Sequence, residues 1–298
     1  MKKVFSVAFI AILSLSIFLY SCQKETKQDI PELNKQYSKE QMYSYYNSLE
    51  IQKLDKSINF ATGKKTRKLT GKQAAQLIVS DVEGGFAGGK IGSFGGPLGA
   101  MGGAVGGAVI ASAFKWWSSD WPWGVAINPD DRDFGQGGTN GVGSVGYYHN
   151  IYCRQSLNNP DPSTHSNYTS FSNFFMSTYS GSIATNIGLS SNFFSSNIQN
   201  EIIAASAAAI EVKDFPSASS FLHSYSNDQH VNSIMLMVLE RLFQIDSEQN
   251  YNAFYDYADS FTNLVQNDDT LSIEQKNLIL HSLSILKYSA SLWKNNLQ

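Results

Sequence analysis

Apolar residues recur every three or four positions along three stretches near the end of the chain, which is the spacing of one face of an α-helix. A capping box, Ser272-Ile273-Glu274-Gln275, marks the start of the last stretch. Because the connections are short, we expect antiparallel neighbours and a C-terminal helical domain over residues 167–298. The three stripes are Val231, Ile234, Met235, Val238 and Leu242; Tyr251, Phe254, Tyr255, Ala258, Phe261 and Val265; and Ile279, Leu283, Leu286, Ala290 and Trp293.

Small residues recur every four positions in the middle of the chain, in two parallel rows. Side chains four apart lie on the same helical face, so each row predicts a helix with a flat, narrow stripe. Each interior glycine disfavours a helix by about 1 kcal/mol relative to alanine, so these helices need close packing to form. The rows are Gly84, Gly88, Gly92, Gly96, Ala100, Ala104, Ala108 and Ser112, and Gly95, Gly99, Gly103, Gly107 and Ala111.

The sequence Gly95-Gly96-Pro97 interrupts this segment, with glycine where a helix ends and proline where the next begins. We therefore expect an αα-hairpin within residues 69–115, with arms near 71–94 and 98–115. The larger side chains, Ile78, Phe86, Ile91, Met101, Val105 and Val109, are expected to face away from the seam between the arms. The glycines expected to pack the helices together are Gly84, Gly88, Gly92, Gly96, Gly99, Gly103 and Gly107.

A membrane-inserting segment is an alternative interpretation of the same residues. Residues 91–114 carry no charge and are followed by Lys115-Trp116-Trp117, residue types that favour a membrane interface. The second arm alone is too short to cross a bilayer as a helix, since a hydrocarbon core is about 30 Å thick. Disorder is the third interpretation that the glycine content leaves open.

The rest of the chain predicts no sheet, so we expect an all-α fold. Residues 116–166 are rich in Gly, Asn, Asp and Pro and predict an irregular region that carries many aromatic residues. Residues 22–68 predict a polar tether and an N-terminal helix near 39–59. Four tryptophans in the first part of the irregular region, Trp116, Trp117, Trp121 and Trp123, suggest glycan stacking, a core wedge or a membrane-interface belt.

The start of the chain has the layout of a secretory signal over residues 1–21. Two lysines precede an uncharged run that ends in Leu19-Tyr20-Ser21-Cys22. This ending resembles the lipobox of bacterial lipoproteins, and the resemblance implies cleavage before Cys22 and acylation of its thiol. Gln23-Lys24-Glu25 resembles the export tag of surface lipoproteins of the Bacteroidetes. We expect an outer-membrane lipoprotein that is held by its N-terminal lipid and faces the periplasm or the cell surface.

Charge and composition restrict the classes of molecule that the chain is expected to bind. The formal net charge is −3 and charged residues make up 16% of the chain. A nucleic-acid partner is not expected, because phosphate neutralisation needs a concentrated basic surface. A basic run at residues 64–68 predicts a solvated linker, with contact to anionic headgroups as the alternative. A protein or glycan partner is compatible with the composition.

Searches for chemical motifs predict neither an enzyme nor a cofactor. Gly141-x-Gly143-x-x-Gly146 has the spelling of a dinucleotide-binding motif but no preceding strand. Asp130, Asp131 and Asp133 with Asn128 lack the spacing of a calcium loop, so we expect no metal. The five histidines form no zinc motif, and no serine lies in a nucleophile elbow. Cys153 is expected to be a buried, unreactive thiol.

One polar pair in the irregular region is a candidate site. Gly146-Tyr147-Tyr148-His149-Asn150 resembles a G-x-x-H-N element that accompanies small-residue zippers in uncharacterised lipoproteins of the Bacteroidetes. The resemblance implies no activity. We expect His149 and Asn150 to cap helix ends and to fix the loop to the hairpin.

Three functions remain open at this point. The first is a lipid-anchored cell-envelope protein that acts as a non-catalytic interaction or structural module. The second is a membrane-active or pore-forming protein, comparable to a bacteriocin, that uses residues 91–114. The third is a glycan-binding surface lipoprotein that uses the tryptophans near residue 120.

Overall fold

The computed structural model describes residues 71–118, 143–157, 167–243 and 252–294. Helices account for 87% of these residues and strands for none of them, so the predicted all-α class is confirmed. The predicted signal sequence, Cys22, the tether and the helix near 39–59 lie outside the described residues. So do the candidate calcium loop and the tryptophans at 121 and 123.

The glycine-rich segment is a helical hairpin. Helix α1 spans Gly71–Gly92, a 3₁₀ turn spans Ser93–Gly95, and helix α2 spans Gly96–Ser118. Gly96 turns the chain with φ +69°, a conformation that side-chain-bearing residues rarely adopt. The chain reverses where the sequence predicted it.

The two arms meet at backbone distance along a seam of six glycines. The pairs are Gly84 with Gly107, Gly88 with Gly103, and Gly92 with Gly99, since in each pair a Cβ on either residue would lie within 2.5 Å of the partner's carbonyl oxygen. Such proximity multiplies backbone dispersion contacts and allows Cα–H···O contacts, which offset the low helix propensity of glycine. Gly96 lies at the turn and is not part of the seam, so its predicted helix-packing role is wrong.

The hairpin is the centre of the described structure. The larger side chains on its outer faces are buried by the surrounding helices, including Ile78, Phe86, Met101, Val105 and Val109. Gly71–Trp116 has the length and composition to cross a membrane, and 83% of its apolar window is buried inside the protein. Within the described residues, the apolar hairpin therefore forms the hydrophobic core.

A helix occupies part of the region that was predicted to be irregular. Helix α3 spans Gly143–Leu157, so the predicted irregular region over 116–166 is wrong for these residues. Three glycines and an asparagine in and beside this stretch favoured a loop from sequence alone. Tertiary packing overrides that preference, because Gly146 lets α3 approach the last helix so closely that a Cβ would lie 2.3 Å from the carbonyl oxygen of Ser284.

The remaining helices pack around the hairpin rather than apart from it. They are α4 Tyr168–Asn186, α5 Ser196–Ile210, α6 Phe215–Tyr225, α7 Gln229–Phe243, α8 Asn252–Gln266 and α9 Ile273–Lys294. Helices α4 and α5 cover α2, α5 also lies along α1, and α9 lies along α1 and α3. The last helix therefore belongs to the same core as the hairpin, and it brings distant residues to the candidate site.

Candidate functional site

The most connected polar group in the described core is the carboxylate of Asp81, on α1. One oxygen, Oδ1, lies 2.8 Å from Nε2 of His149 on α3. The other oxygen accepts hydrogen bonds from Trp293 Nε1, at 2.9 Å, and from the hydroxyl of Ser289, both on α9. All four side chains are fully buried, so this carboxylate joins three helices in the interior.

His149 and Asn150 extend this network to a backbone carbonyl. The Asn150 amide nitrogen donates to the carbonyl oxygen of Tyr288 at 2.9 Å, which turns its side-chain oxygen toward His149 Nδ1, also at 2.9 Å. Both ring nitrogens of His149 thus face acceptors. A ring nitrogen that carries a proton can donate to either of these acceptors, so the ring joins Asp81 to Asn150.

The predicted capping role of these two residues is wrong, because both lie within α3 and not at its ends. Their side chains do connect this part of the chain to the hairpin, through Asp81, and also to α9, through Tyr288. The sequence thus identified two members of the network and assigned them to the wrong local structure.

The thiol closest to this site along the chain is not placed to act as a nucleophile, and the Ser289 hydroxyl is bonded to Asp81 and not to His149. Cys153 lies one helical turn after His149, but its sulfur is 3.9 Å from the Ser112 hydroxyl, and both nitrogens of the His149 ring already have partners. Burial raises the pKa of the Cys153 thiol well above its usual value, and the nearby Asp81 carboxylate raises it further. The thiol is therefore neutral and enclosed, as a structural cysteine is.

A second buried acid, Glu83, lies two residues after Asp81 on α1. Glu83 is fully buried, and neither of its carboxylate oxygens has a hydrogen-bond partner among the described residues. Burial raises its pKa well above the usual value, and the positive charge of Lys115 offsets only part of this shift. The protonated, neutral form of Glu83 is therefore the one that the interior favours.

Lys115 ends the uncharged stretch of α2 beside this acid. Its ammonium donates to the Ser80 hydroxyl at 2.9 Å and to the Val212 carbonyl oxygen at 3.5 Å. Burial lowers its pKa to about 8, against the opposing effect of Glu83 and other acids. Lys115 thus connects α2 to α1 and to the segment that follows α5. It lies at the open end of the hairpin, opposite the turn.

The other histidines that the structure describes belong to no cluster of metal-ligating side chains. No group of three or more metal-ligating side chains occurs in the parts of the chain that the structure describes. His223 is exposed and bonds to the carbonyl oxygen of Ser219. His281 is buried, its Nδ1 has no hydrogen-bond partner, and burial lowers its pKa to about 4. It behaves as a neutral core residue.

No dinucleotide site was expected at Gly141-x-Gly143-x-x-Gly146, and its two described glycines have a local structural role. Gly143 and Gly146 open α3, and the Gly146 amide donates to the Ser284 hydroxyl at 3.0 Å. The ring of Trp116 stacks on that of Trp293, with ring centres 5.4 Å apart. This tryptophan therefore extends the packing around the Asp81 network.

Sequence reasoning missed Asp81, Ser289 and Trp293 as members of the site. One signal was present: Asp81 and Glu83 are the only acids between residues 71 and 118, in a segment that consists mostly of small and apolar residues. An acid in such a segment needs a partner if it is buried, so a search for one was justified. A comparison with family models, curated proteins and solved structures finds no match to this chain.

Proposed function

We propose that this chain is a lipid-anchored protein of the bacterial cell envelope that acts as a non-catalytic structural or interaction module. The anchor would be Cys22, in the outer membrane, with the folded part facing the periplasm or the cell surface. The observation that carries the non-catalytic role is the enclosed network of Asp81, His149 and Asn150. Every hydrogen-bonding nitrogen of His149 is used within it.

Catalysis by a histidine needs a ring nitrogen that can exchange a proton with a substrate or a nucleophile. His149 has none available, since one nitrogen faces Asp81 and the other faces Asn150. The side chains of His149 and Asp81 are also fully buried, so neither is exposed to a substrate in the folded protein. These features favour a role in holding three helices together.

The anchor is tested by changing Cys22 to Ser in the full chain and fractionating the cells. We expect the wild type in the detergent phase, with an acylated N-terminus by mass spectrometry, and the variant in the soluble fraction or unprocessed. A wild-type N-terminus without acyl groups would refute the anchor. Protease treatment of intact cells then separates a periplasmic from a surface orientation.

The non-catalytic role is tested through the reactivity of Cys153. In a chain that starts at residue 23, Cys153 is the single remaining cysteine of the two. We expect iodoacetamide to label it only when denaturant unfolds the protein. A matched control carries Cys153→Ser and Ser177→Cys, which places a thiol at an exposed position of α4, and should be labelled rapidly in the native state. Rapid native labelling of Cys153 would contradict the proposal.

A membrane-active protein is the second candidate, and one observation favours it. Gly71–Trp116 is long and apolar enough to cross a bilayer. Insertion would require the hairpin to leave the surrounding helices, which now cover most of its apolar side chains. Release of an encapsulated dye from lipid vesicles by the chain that starts at residue 23 would support this function, and intact vesicles at micromolar protein would refute it.

A further inference from the structure

The turn of the hairpin presents large apolar side chains to solvent. Phe94 is 84% exposed and Leu98 is 40% exposed, whereas most apolar side chains of the two arms are buried. A third apolar residue, Ile273 at the first position of α9, is 76% exposed. We refer to Phe94, Leu98 and Ile273 as the tip patch.

The three residues lie at the same end of the molecule because α9 runs antiparallel to α1. A Cβ at Gly85 would meet the Ile285 side chain, and one at Gly89 would lie 3.4 Å from Leu278. Farther toward the turn, the Lys90 ammonium lies 3.2 Å from the Glu274 carboxylate. The first residue of α9 is therefore level with the turn of the hairpin.

The hairpin side of the tip patch carries few charges, whereas the exposed Asp269 lies four residues before Ile273. Residues 91–114 contain no charged side chain. The nearest charges on α1 and α9, those of Lys90 and Glu274, form an ion pair with each other. Burial of the patch in an apolar medium would leave this pair at the rim, where long polar side chains can stay in water.

We propose that the tip patch docks into the surface of a lipid bilayer. The patch is small, because a fully exposed aromatic side chain supplies only about 150–250 Å² of contact area, whereas a stable protein interface needs about 800 Å² from each partner. Phe94 and Leu98 also flank the turn of the hairpin, where their exposed side chains can enter fluid lipid. A bilayer therefore suits the small size of the patch better than a second protein does.

This proposal rests on the proposed lipid anchor, which would hold the protein at a membrane. The chain before the hairpin is long enough for the tip patch to reach that membrane. Helix α1 has 22 residues, so the tip patch lies about 33 Å from residue 71. Residues 23–70 can extend to at most about 170 Å. A lipid at Cys22 and the tip patch can thus reach the same bilayer.

Vesicle binding tests this proposal with the chain that starts at residue 23, which carries no lipid and keeps every described residue. We expect it to co-sediment with phosphatidylcholine vesicles, and Phe94→Ser to weaken the partition coefficient about tenfold or more. Adding Ile273→Ser should weaken it further. Circular dichroism should be unchanged, because both positions are exposed.

The matched control is Phe215→Ser. Phe215 is 39% exposed at the start of α6, close to Val212 and Lys115 at the open end of the hairpin. It should leave vesicle binding unchanged. Equal losses from Phe94→Ser and Phe215→Ser, no loss from Phe94→Ser, or no wild-type binding to phosphatidylcholine would each overturn the proposal. So would a change of oligomeric state in Phe94→Ser without a change in vesicle binding.

Salt dependence separates the tip patch from the basic run at residues 64–68. Binding through the patch should persist on neutral vesicles and at 1 M salt, since it needs no charge. Binding that requires anionic lipid and disappears in salt would identify the basic run instead and overturn the proposal. This experiment uses a chain without Cys22. A negative result would therefore refute docking by the tip patch and would say nothing about acylation of Cys22.

Discussion

The backbone carbonyl of Gly88 occupies the space that a side chain at Gly103 would need, since a Cβ at residue 103 would lie 2.1 Å from that oxygen. The same relationship holds in reverse, at 2.2 Å for a Cβ at residue 88. Neither contact can be relieved by rotating a side chain, because the obstacle is backbone. The distance between the arms is therefore fixed by glycine at both positions.

Replacing Gly103 by Ala should destabilise the protein, although alanine is the better helix former. The methyl group would force the arms apart and weaken the seam, at a cost of about 3 kcal/mol in the free energy of unfolding. Chemical denaturation monitored by circular dichroism measures this change.

Gly106→Ala is the matched control on the same helix. A Cβ there would lie 3.6 Å from the Met176 side chain, an ordinary contact. We expect it to be neutral or to stabilise by up to about 1 kcal/mol. Equal effects of the two alanines would show that the seam does not hold the hairpin together.

Asp81→Asn should destabilise the protein by about 3–5 kcal/mol, because it removes the charge that three donors share in the interior. The exposed pair of Asp259 and Lys287, at 2.6 Å, offers a comparison. Asp259→Asn should change the unfolding free energy by less than about 1 kcal/mol.

A double-mutant cycle of Asp81→Asn with His149→Gln would measure the coupling within the buried pair. We expect a coupling energy above about 1 kcal/mol, because the two side chains are in direct contact. Additive effects of the two substitutions would mean that the contact contributes no specific stability.

Glu83→Gln should stabilise the protein at neutral and alkaline pH. The folded state holds the Glu83 proton more tightly than the unfolded state, since burial raises the pKa of this acid. Wild-type stability from this group is present below its ordinary pKa and falls as the pH rises above it, toward the folded pKa.

Unfolding free energies at pH 4 and pH 8 test the sign of this effect. The difference between Glu83→Gln and wild type should grow with pH, whereas Glu201→Gln, at an exposed position of α5, should change by less than about 0.5 kcal/mol at either pH. A difference that shrinks as the pH rises would contradict the assignment.

His281 should produce the opposite trend. Its pKa is lowered from 6.5 to about 4, so the unfolded state binds a proton more readily than the folded state. Stability from this residue is complete above pH 6.5 and is lost as the pH falls toward 4, by up to about 3 kcal/mol.

Replacing His281 by Phe removes that acid-dependent loss. Urea denaturation at pH 7 and pH 4.5 should show a smaller decrease for His281→Phe than for wild type. An identical decrease in the two proteins would mean that His281 takes up its proton without unfolding.

The hairpin could be predicted from the sequence because its signal is local and periodic. Small residues four apart and the Gly96-Pro97 break define the arms and the turn without reference to distant residues. The helix α3 could not be predicted in this way. Its glycines favour a loop, and the helix depends on packing against distant parts of the chain, including the close approach of Gly146 to α9.

Only part of the polar network could be predicted, again because only local signals can be recognised in a sequence. His149 and Asn150 are adjacent in sequence, so they stand out as a pair. Their partners, Asp81, Ser289 and Trp293, lie on helices whose register depends on packing across the whole core. Nothing in the spacing of these residues along the chain indicates that they meet.

The seam also gives this chain a numerical signature. In each facing pair of glycines the two residue numbers add up to 191. The arms are antiparallel, so the residue number rises by four along one arm as it falls by four along the other. An insertion of one residue within either arm would move every seam glycine between it and the open end of the hairpin out of register with its partner. Relatives should therefore keep the length of each arm and of the turn unchanged, even where little else in their sequences agrees.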